Sequence, residues 1–248
     1  MIIDLLAMTP VLASLALATT APASRDSAAD SVSAPEALDA RVWTMAHAAY
    51  ARARRTGVAK REFLVVIDYT QPSAAKRLWV VNMRNGDLVT RTHVAHGSGS
   101  GADTPSRFSN RLHSNQSSVG VFVTGESYWG QHGQALRLDG LEPGVNDRAR
   151  RRNVVFHGSR YVSAALADRA GRVGRSQGCP AVDADEVRRL VPILEGGAVI
   201  FAWYPERRWL RSSRWIPEAL RASLMPPTPA AHRSRPVRRA SATRRALG

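Results

Sequence analysis

The chain has 248 residues, of which 44% are hydrophobic, 6% aromatic and 22% charged. This apolar content excludes a wholly disordered chain, and the length suits one domain of about 150 residues with extensions, or two small domains. The formal net charge is +15, and all 35 basic residues except Lys60 and Lys76 are arginine. Such a charge favours anionic partners, such as nucleic acid, phospholipid or an acidic polymer, without choosing among them. A single cysteine, Cys179, excludes a disulfide framework, a CxxC redox pair and a cysteine-rich zinc site.

The amino-terminal segment has the outline of a secretory signal peptide. An apolar run from Leu5 to Thr20 is too short to span a bilayer as a mature helix, and two A-x-A cleavage sequences lie near its end. Asp4 stands where such signals usually carry a basic residue, so a buried N-terminal helix is the alternative, which Pro10 disfavours. We therefore expect residues 1–23 to be a signal peptide and the protein to be exported to the periplasm or cell envelope.

A linker and one helix are predicted for residues 24–60. Ser33 and Glu36 have the spacing of a capping box, and apolar residues then recur at helical spacing as far as Ala49. Gly57 is a stop signal for this helix. We expect the helix to pack on the outside of the following domain, because the next segment changes its hydrophobic period.

Residues 61–205 are predicted to form a mainly β domain with flanking helices. Asn85-Gly86 is a strong hairpin signal between two apolar segments. A second capping box at Asp183 predicts a short helix through Leu190, which Pro192 disturbs. Periodicity does not separate a sandwich from a barrel. The predicted strands are 63–68, 78–83, 87–94, 119–124, 135–138, 154–157 and 198–204.

The composition changes after Tyr204. Residues 226–248 contain six arginines, no acidic residue and no apolar period, which is typical of a disordered segment. We expect residues 206–248 to be a basic, largely disordered tail, which either binds an anionic cell-wall polymer or membrane surface or is inert.

Two patterns resemble ligand sites only superficially. The glycine-rich segment 97–101 fits G-x-G-x-x-A, but no apolar helix follows it, as a dinucleotide site requires. A loop whose backbone approaches a ligand or another loop is favoured instead. His93 and His96 are spaced for a metal, but they lack an H-E-x-x-H pattern, and strand positions three apart face opposite sides. We therefore expect no metal site.

The most informative pair is His157, at the end of an apolar strand, and Cys179, in a turn bounded by glycine. A thiol with an ordinary pKa near ~8.5 needs an imidazole or a positive field to become a nucleophile. His157 can supply the base, and the amides around Gln177 to Cys179 can supply an oxyanion hole. The predicted helix begins only at Asp183, so the histidine has to provide most of the activation. The alternative for Cys179 is a small buried hydrophobe.

Several motifs in order carry a family resemblance. His157-Gly158 ends a strand and is followed by GRSQGCPAV at residues 174–182. Upstream, the segments VAHGSGSG, FSN, SSVG and YWGQHG precede them. From about Arg61 to Tyr204 the sequence resembles the L,D-transpeptidase (YkuD-like) catalytic domain, and more closely its murein L,D-transpeptidase branch with GRSxGCPAV. A papain-like protease is disfavoured, because its cysteine would precede its histidine.

The resemblance implies a β-sandwich or barrel-like domain that transfers peptidoglycan peptides without a cofactor or metal. In the family, a thiolate attacks the third residue of a tetrapeptide stem and releases the terminal D-Ala. The side-chain amine of another stem then resolves the thioacyl-enzyme as a 3–3 crosslink. Matched to these motifs, Cys179 is the nucleophile and His157 the base, and the Gly158 carbonyl orients the imidazole.

The resemblance also assigns the neighbouring residues. Gln177 and Gly178 would lie in the oxyanion region, and Ser176 would shape the turn. Arg175 would either meet a substrate carboxylate or be a solvated surface residue. The candidate substrate contacts are Arg175, His96 and Tyr128.

The chain departs from the family at two positions. Better-studied members have His directly before Gly-Cys and Arg or Asn two residues after Cys, where this chain has Gln177 and Ala181. Water could then resolve the thioester, which would make the protein an L,D-carboxypeptidase. A non-catalytic wall-binding protein is the third alternative. The expected partners are peptidoglycan stem peptides, and no nucleic acid is expected.

Overall fold

The computed structural model describes residues 32–131 and 133–224, and the predicted signal peptide lies outside them. Within these ranges the chain forms eight strands in one sheet and five helices. None of the helices there has the length and apolar character needed to cross a membrane. In chain order the elements are α1 Ala40–Arg55, β1 Phe63–Asp68, β2 Leu78–Asn82, β3 Leu88–Thr92, β4 Gly120–Gly130, β5 Gly133–Gly140, β6 Val155–Gly158, α2 Ala164–Ala170, β7 Ala181–Val182, α3 Ala184–Leu194, β8 Val199–Trp203, α4 Arg207–Ser212 and α5 Glu218–Ala222.

The eight strands form a sheet that almost closes on itself. The strand order is β3-β2-β1-β8-β4-β5-β6-β7, in which β1 is parallel to β8 and β6 is parallel to β7. Beyond the end of β3, the Ala95 N–H donates to the Ala181 carbonyl of β7 at 2.8 Å, so the two ends of the sheet meet. The predicted mainly β, barrel-like domain with flanking helices is thereby confirmed. All seven predicted strands are present, and the two-residue strand β7 was not predicted.

Each face of the sheet packs against a separate set of apolar residues. Along β1, Leu64 and Val66 point into a core shared with α1, whereas Val65 and Ile67 point into a core shared with α3. Successive strand residues face opposite sides, so a strand covered on both faces is apolar throughout. The flanking helices therefore bury both surfaces of this part of the sheet.

The N-terminal helix is an integral part of the domain. It begins at Ala40, because the Asp39 carboxylate, and not the Ser33 hydroxyl, caps it by accepting the N–H groups of Arg41 and Val42. Its apolar face lies in the same core as β1, β2 and β8. The predicted start at Ser33 is therefore too early, and α1 shares a core with strands of the domain predicted for residues 61–205.

Helix α3 begins where the sequence predicts it and ends later. Asp183 caps it by accepting the Asp185 N–H, and the helix continues to Leu194 with Pro192 inside it. An interior proline costs about 3 kcal/mol through its missing N–H and a clash with the preceding turn. Here Leu190, Val191 and Leu194 are buried against the sheet. Tertiary packing thus outweighs the local signal.

Residues 206–224 pack on the domain, which corrects the prediction of a disordered tail from residue 206. Trp209, Leu210 and Ile216 are buried in the core that contains α1. The indole N–H of Trp209 and the hydroxyl of Ser213 donate to one carboxylate oxygen of Glu142, at 2.7 and 3.0 Å. Burial raises the pKa of this carboxyl group. The rest of the predicted tail lies outside the described residues, so its binding to an anionic polymer or membrane stays a prediction.

Deleting residues 206–248 should unfold the protein under conditions where the full chain is folded. The deletion uncovers the core around Trp209 and removes both donors from the buried Glu142 carboxylate. Loss of one buried tryptophan side chain alone costs about 3–5 kcal/mol, against a typical total stability of about 5–15 kcal/mol. Thermal denaturation followed by circular dichroism measures the effect. A chain that ends at Leu224 is the control and should keep the melting temperature of the full chain. The same melting temperature after deletion of residues 206–248 would contradict the packing described here.

Candidate active site

A cavity of about 940 Å³ contains both residues of the predicted catalytic pair, Cys179 and His157. It opens beside the segment of the sheet formed by β5, β6 and the turn that leads into β7. Its further lining residues include Tyr128, Arg151, Arg152, Tyr161, Arg175, Ser176 and Gln177.

The parallel pairing of β6 with β7 positions the pair. His157 lies opposite Ala181 in the ladder, and Cys179 precedes Ala181 by two residues. The Sγ atom of Cys179 lies 3.5 Å from the backbone nitrogen of Val155, two residues before His157 on β6. Because residues two apart on a strand share a face, the register brings the thiol and the imidazole to the same side of the sheet.

The imidazole of His157 is held by the next residue in the chain. Its Nδ1 atom lies 2.8 Å from the Gly158 carbonyl oxygen, which can only accept a hydrogen bond. Nδ1 therefore carries the proton in the neutral ring, and Nε2 is the basic nitrogen. Gly158 has no room for a side chain, since a Cβ there would lie 2.6 Å from Val187 Cγ1 and 3.0 Å from the Cα of Ala184 in α3.

Ser176 fixes the turn that carries the thiol. Its hydroxyl donates to the Cys179 carbonyl at 2.7 Å and accepts the Gly178 N–H at 3.1 Å. The Gly178 N–H is therefore used inside the turn, which corrects its predicted place among the oxyanion donors. Among the hydrogen bonds of the described residues, none uses the N–H of Gln177 or Cys179. These two amides are the candidate oxyanion donors.

The glycine-rich segment supports this turn from behind. The Ser176 N–H donates to the His96 carbonyl at 2.9 Å, and the Ser98 N–H donates to the Ser176 carbonyl at 2.8 Å. A Cβ on Gly97 would lie 2.9 Å from Gly178 Cα and 2.3 Å from the Asn115 carbonyl oxygen. Glycine is required here because two backbones approach each other closely. The sequence pattern favoured such a loop for this segment.

His96 is not a substrate contact, which corrects its assignment from the sequence. Its ring is fully buried, and its Nδ1 accepts a hydrogen bond from Nη2 of the buried Arg77 at 2.8 Å. Burial and the neighbouring Arg77 charge lower the pKa of His96 to about 4. The ring of His93 instead lies 2.9 Å from the Ala74 carbonyl oxygen. The described part of the chain contains no group of side chains suited to a metal ion.

Tyr128 and Arg175 both line the cavity. The Arg137 guanidinium lies over the Tyr128 ring, 4.5 Å from its centroid, and fixes the ring at the cavity wall. Arg175 is exposed, and its Nη1 donates to the Gly101 carbonyl at 3.0 Å. Contact of either residue with a substrate stays a prediction.

Sequence reasoning missed Arg152, a half-buried cavity residue. It stands at the end of an arginine run, which has the pattern of a solvated surface segment. The only signal in the sequence is its place five residues before His157. Its terminal nitrogens are bound by a loop from residues 109–118, which is distant in the chain.

Opposing effects act on the thiol of Cys179. Burial raises its pKa, whereas the Val155 N–H and the positive charge of Arg152 lower it. Burial is the largest of these, so the thiol form is the resting form at neutral pH. A base in the cavity is therefore needed to generate the thiolate.

Comparison with known proteins identifies the family. A model of the L,D-transpeptidase catalytic domain matches residues 34–203, which is more than half of the chain. The protein therefore belongs to this family and carries an L,D-transpeptidase catalytic domain. The matched range includes α1, in agreement with the place of that helix in the core.

Similar solved structures include two L,D-transpeptidases. The protein from Mycobacterium smegmatis is 15% identical, with a TM-score of 0.36 over 58% of this chain and 59% of the other. The protein from Stackebrandtia nassauensis is 17% identical, with a TM-score of 0.34 over 59% of this chain and 57% of the other. The match thus spans less than two thirds of either solved chain. No curated protein matches the chain.

Replacing Gly97 by alanine should destabilise the protein. The new Cβ would meet the Asn115 and Gly178 backbones, which cannot move aside as a flexible side chain would. Overpacking of this kind costs about 1–3 kcal/mol in the free energy of unfolding, measured by urea denaturation. The neighbouring Ser98→Ala is the control, since that side chain is exposed, and it should change stability by less than about 0.5 kcal/mol. Equal stability of both variants would show that the two loops do not approach as closely as described.

Proposed function

We propose that the protein is a peptidoglycan L,D-transpeptidase that forms 3–3 crosslinks through a thioacyl-enzyme on Cys179. The observation that carries this proposal is the shared cavity, in which the thiol turn and an imidazole with a fixed tautomer face the same space. Membership of the family supports a peptidoglycan substrate, and the tetrapeptide stem is what the resemblance of the sequence implies.

In the acylation step, Nε2 of His157 takes the proton of the Cys179 thiol. The sulfur attacks the carbonyl carbon of the third stem residue, and the oxyanion lies within reach of the Gln177 and Cys179 amides. The C–N bond to the terminal D-Ala breaks, and the imidazolium returns its proton to the leaving amine. The products are free D-Ala and a thioester on Cys179.

In the second step, an amine from another stem enters from the open side of the cavity. It gives a proton to His157 and attacks the thioester, and the C–S bond breaks. The new amide is the 3–3 crosslink, and the sulfur recovers its proton from the imidazolium. If water enters instead of the amine, the same acyl-enzyme is hydrolysed and the protein is an L,D-carboxypeptidase. Gln177 in the thiol turn and Ala181 at the start of β7 stand where better-studied members have other residues, and we expect these two positions to influence the choice between the acceptors.

Cys179→Ser should fold and lose almost all release of D-Ala from tetrapeptide stems, because an alkoxide is far harder to generate than a thiolate. His157→Ala should lose about a hundredfold or more of the rate, and its residual rate should rise with pH as the thiol ionises without a base. Chromatography of the products with and without an acceptor stem measures both release and the fate of the acyl group.

His47→Ala is the matched control, since this histidine packs against Trp43 on α1, outside the cavity. It should release D-Ala at the wild-type rate. Release at the wild-type rate by Cys179→Ser would remove the nucleophile assignment. If a thiol-reactive β-lactam does not label the wild-type protein, and the protein releases no D-Ala, the result would favour a non-catalytic wall-binding protein.

We further propose that the protein acts outside the cytoplasm, in the periplasm or cell envelope, where peptidoglycan is crosslinked. The support is the apolar run of residues 5–20 and the A-x-A sequences near its end. Fusion of residues 1–30 to alkaline phosphatase, which is active only after export, should give an active enzyme. Leu12→Arg in the same fusion is the control and should abolish activity, because a charge in the apolar run opposes insertion. An inactive wild-type fusion would contradict export by this segment.

A further inference from the structure

Within the described part of the chain, neutral oxygen atoms hold the guanidinium of Arg152 in place. Its Nη1 donates to the Ser109 carbonyl and the Ser118 hydroxyl, both at 2.6 Å. Its Nη2 donates to the Ser114 hydroxyl at 3.2 Å and the Gln116 carbonyl at 2.6 Å. These four bonds fix the plane of the guanidinium, and none of them neutralises its charge.

The neighbouring arginine in the same run shows the contrast. Arg150 pairs with the carboxylates of Glu126 and Asp139, at 2.7 and 2.5 Å. No carboxylate in the described ranges lies within ion-pair distance of Arg152. A half-buried cation without a protein anion is costly, because it has lost part of its hydration. We therefore expect a group around the cavity to provide the negative charge that compensates Arg152.

The guanidinium lies beside the thiol turn. A Cβ on Gly178, the residue before the nucleophile, would lie 3.4 Å from Nη2 of Arg152. The residues that follow Arg152 surround the sulfur, since Sγ of Cys179 lies 3.6 Å from the Asn153 carbonyl oxygen and 3.5 Å from the Val155 nitrogen. The Asn153 carbonyl can accept a hydrogen bond from the neutral thiol, whereas the Val155 N–H and the positive charge of Arg152 stabilise the thiolate. Cys179 is thus the group next to segment 152–155 that can become an anion.

We propose that Arg152 is a positioning residue for the proposed reaction, whose fixed positive charge serves as the counter-ion of the Cys179 thiolate; this inference rests on the proposed function. The turn and the start of β7 offer no comparable charge, because Gln177 and Ala181 are neutral and the guanidinium of Arg175 is exposed, where solvent screens it. At the partly buried cavity wall a nearby charge acts more strongly than it would in water.

The charged and titratable groups near Cys179 differ in whether they carry a charge over the pH range of the test. Burial raises the pKa of Tyr161 and raises that of Tyr69 to about 12, so both phenols are neutral at pH 7. An arginine keeps its charge over the range in which a thiol and an imidazole titrate. The remaining groups that face the cavity are His157, His113, Tyr128, Arg151 and Arg175.

The test is the rate at which iodoacetamide alkylates Cys179 as a function of pH, a reaction that needs no stem peptide. Arg152→Met should raise the midpoint of the profile by about one pH unit and slow alkylation at pH 7 by about tenfold. Arg152→Gln should shift it similarly, whereas Arg152→Lys should keep most of the wild-type profile because it keeps the charge. Arg148→Met is the matched control, since Arg148 is an exposed residue of the same run outside this cavity, and it should leave the profile unchanged.

Release of D-Ala by the wild-type protein is measured in parallel, so that the two claims fail separately. No release from any stem would count against the proposed function, whatever the alkylation profiles are. Wild-type alkylation profiles in folded Arg152→Met and Arg152→Gln, beside normal release in the wild type, would overturn the counter-ion role alone. Loss of folding in all three Arg152 variants would also overturn it, because the four hydrogen bonds would then suffice to explain the residue.

Discussion

The short parallel pairing of β6 and β7 closes the sheet and at the same time positions Cys179, the proposed nucleophile. Ala181 lies opposite His157 on one side, and on the other its carbonyl accepts the Ala95 N–H at 2.8 Å. The thiol of Cys179, two residues earlier, therefore has its place fixed by both ends of the sheet. A two-residue strand is sufficient for this role because the Ser176 hydroxyl and the loop from residue 96 to residue 99 fix the turn that precedes it.

The site combines burial, which opposes ionisation of the thiol, with groups that favour the thiolate. Burial raises the pKa of Cys179, and the Val155 N–H and Arg152 act in the opposite direction. Such a thiol is protected from ionising until a base takes its proton. His157 has the tautomer needed for that step, because the Gly158 carbonyl accepts its Nδ1 proton. The same burial strengthens the effect of the fixed charges and dipoles that lie beside the sulfur.

Local patterns in the sequence predicted the strands, the start of α3 and the Cys179–His157 pair, because each depends on residues close together in the chain. One error, the start of α1, had a local cause, since Asp39 caps that helix instead of Ser33. The other errors arose where distant segments decide. The buried His96 contacts Arg77, which directly precedes β2, 19 residues earlier. The hydrogen-bond acceptors of Arg152 lie in a loop 34–43 residues earlier in the chain. The arginine-rich residues 206–224 lack a clear apolar period, yet the Trp209 indole N–H donates to the carboxylate of Glu142, 67 residues earlier. No local rule reports such partners.

The proposed reaction passes through a covalent thioester on Cys179. This intermediate can be trapped by rapid acid quenching of the protein mixed with a tetrapeptide stem, followed by intact-mass measurement and peptide mapping. We expect an adduct equal in mass to the stem peptide without its terminal D-Ala, located on Cys179 and labile to hydroxylamine. The adduct should disappear when an acceptor stem is added. Release of D-Ala at the same rate with no adduct on Cys179 at any time would contradict the proposed reaction.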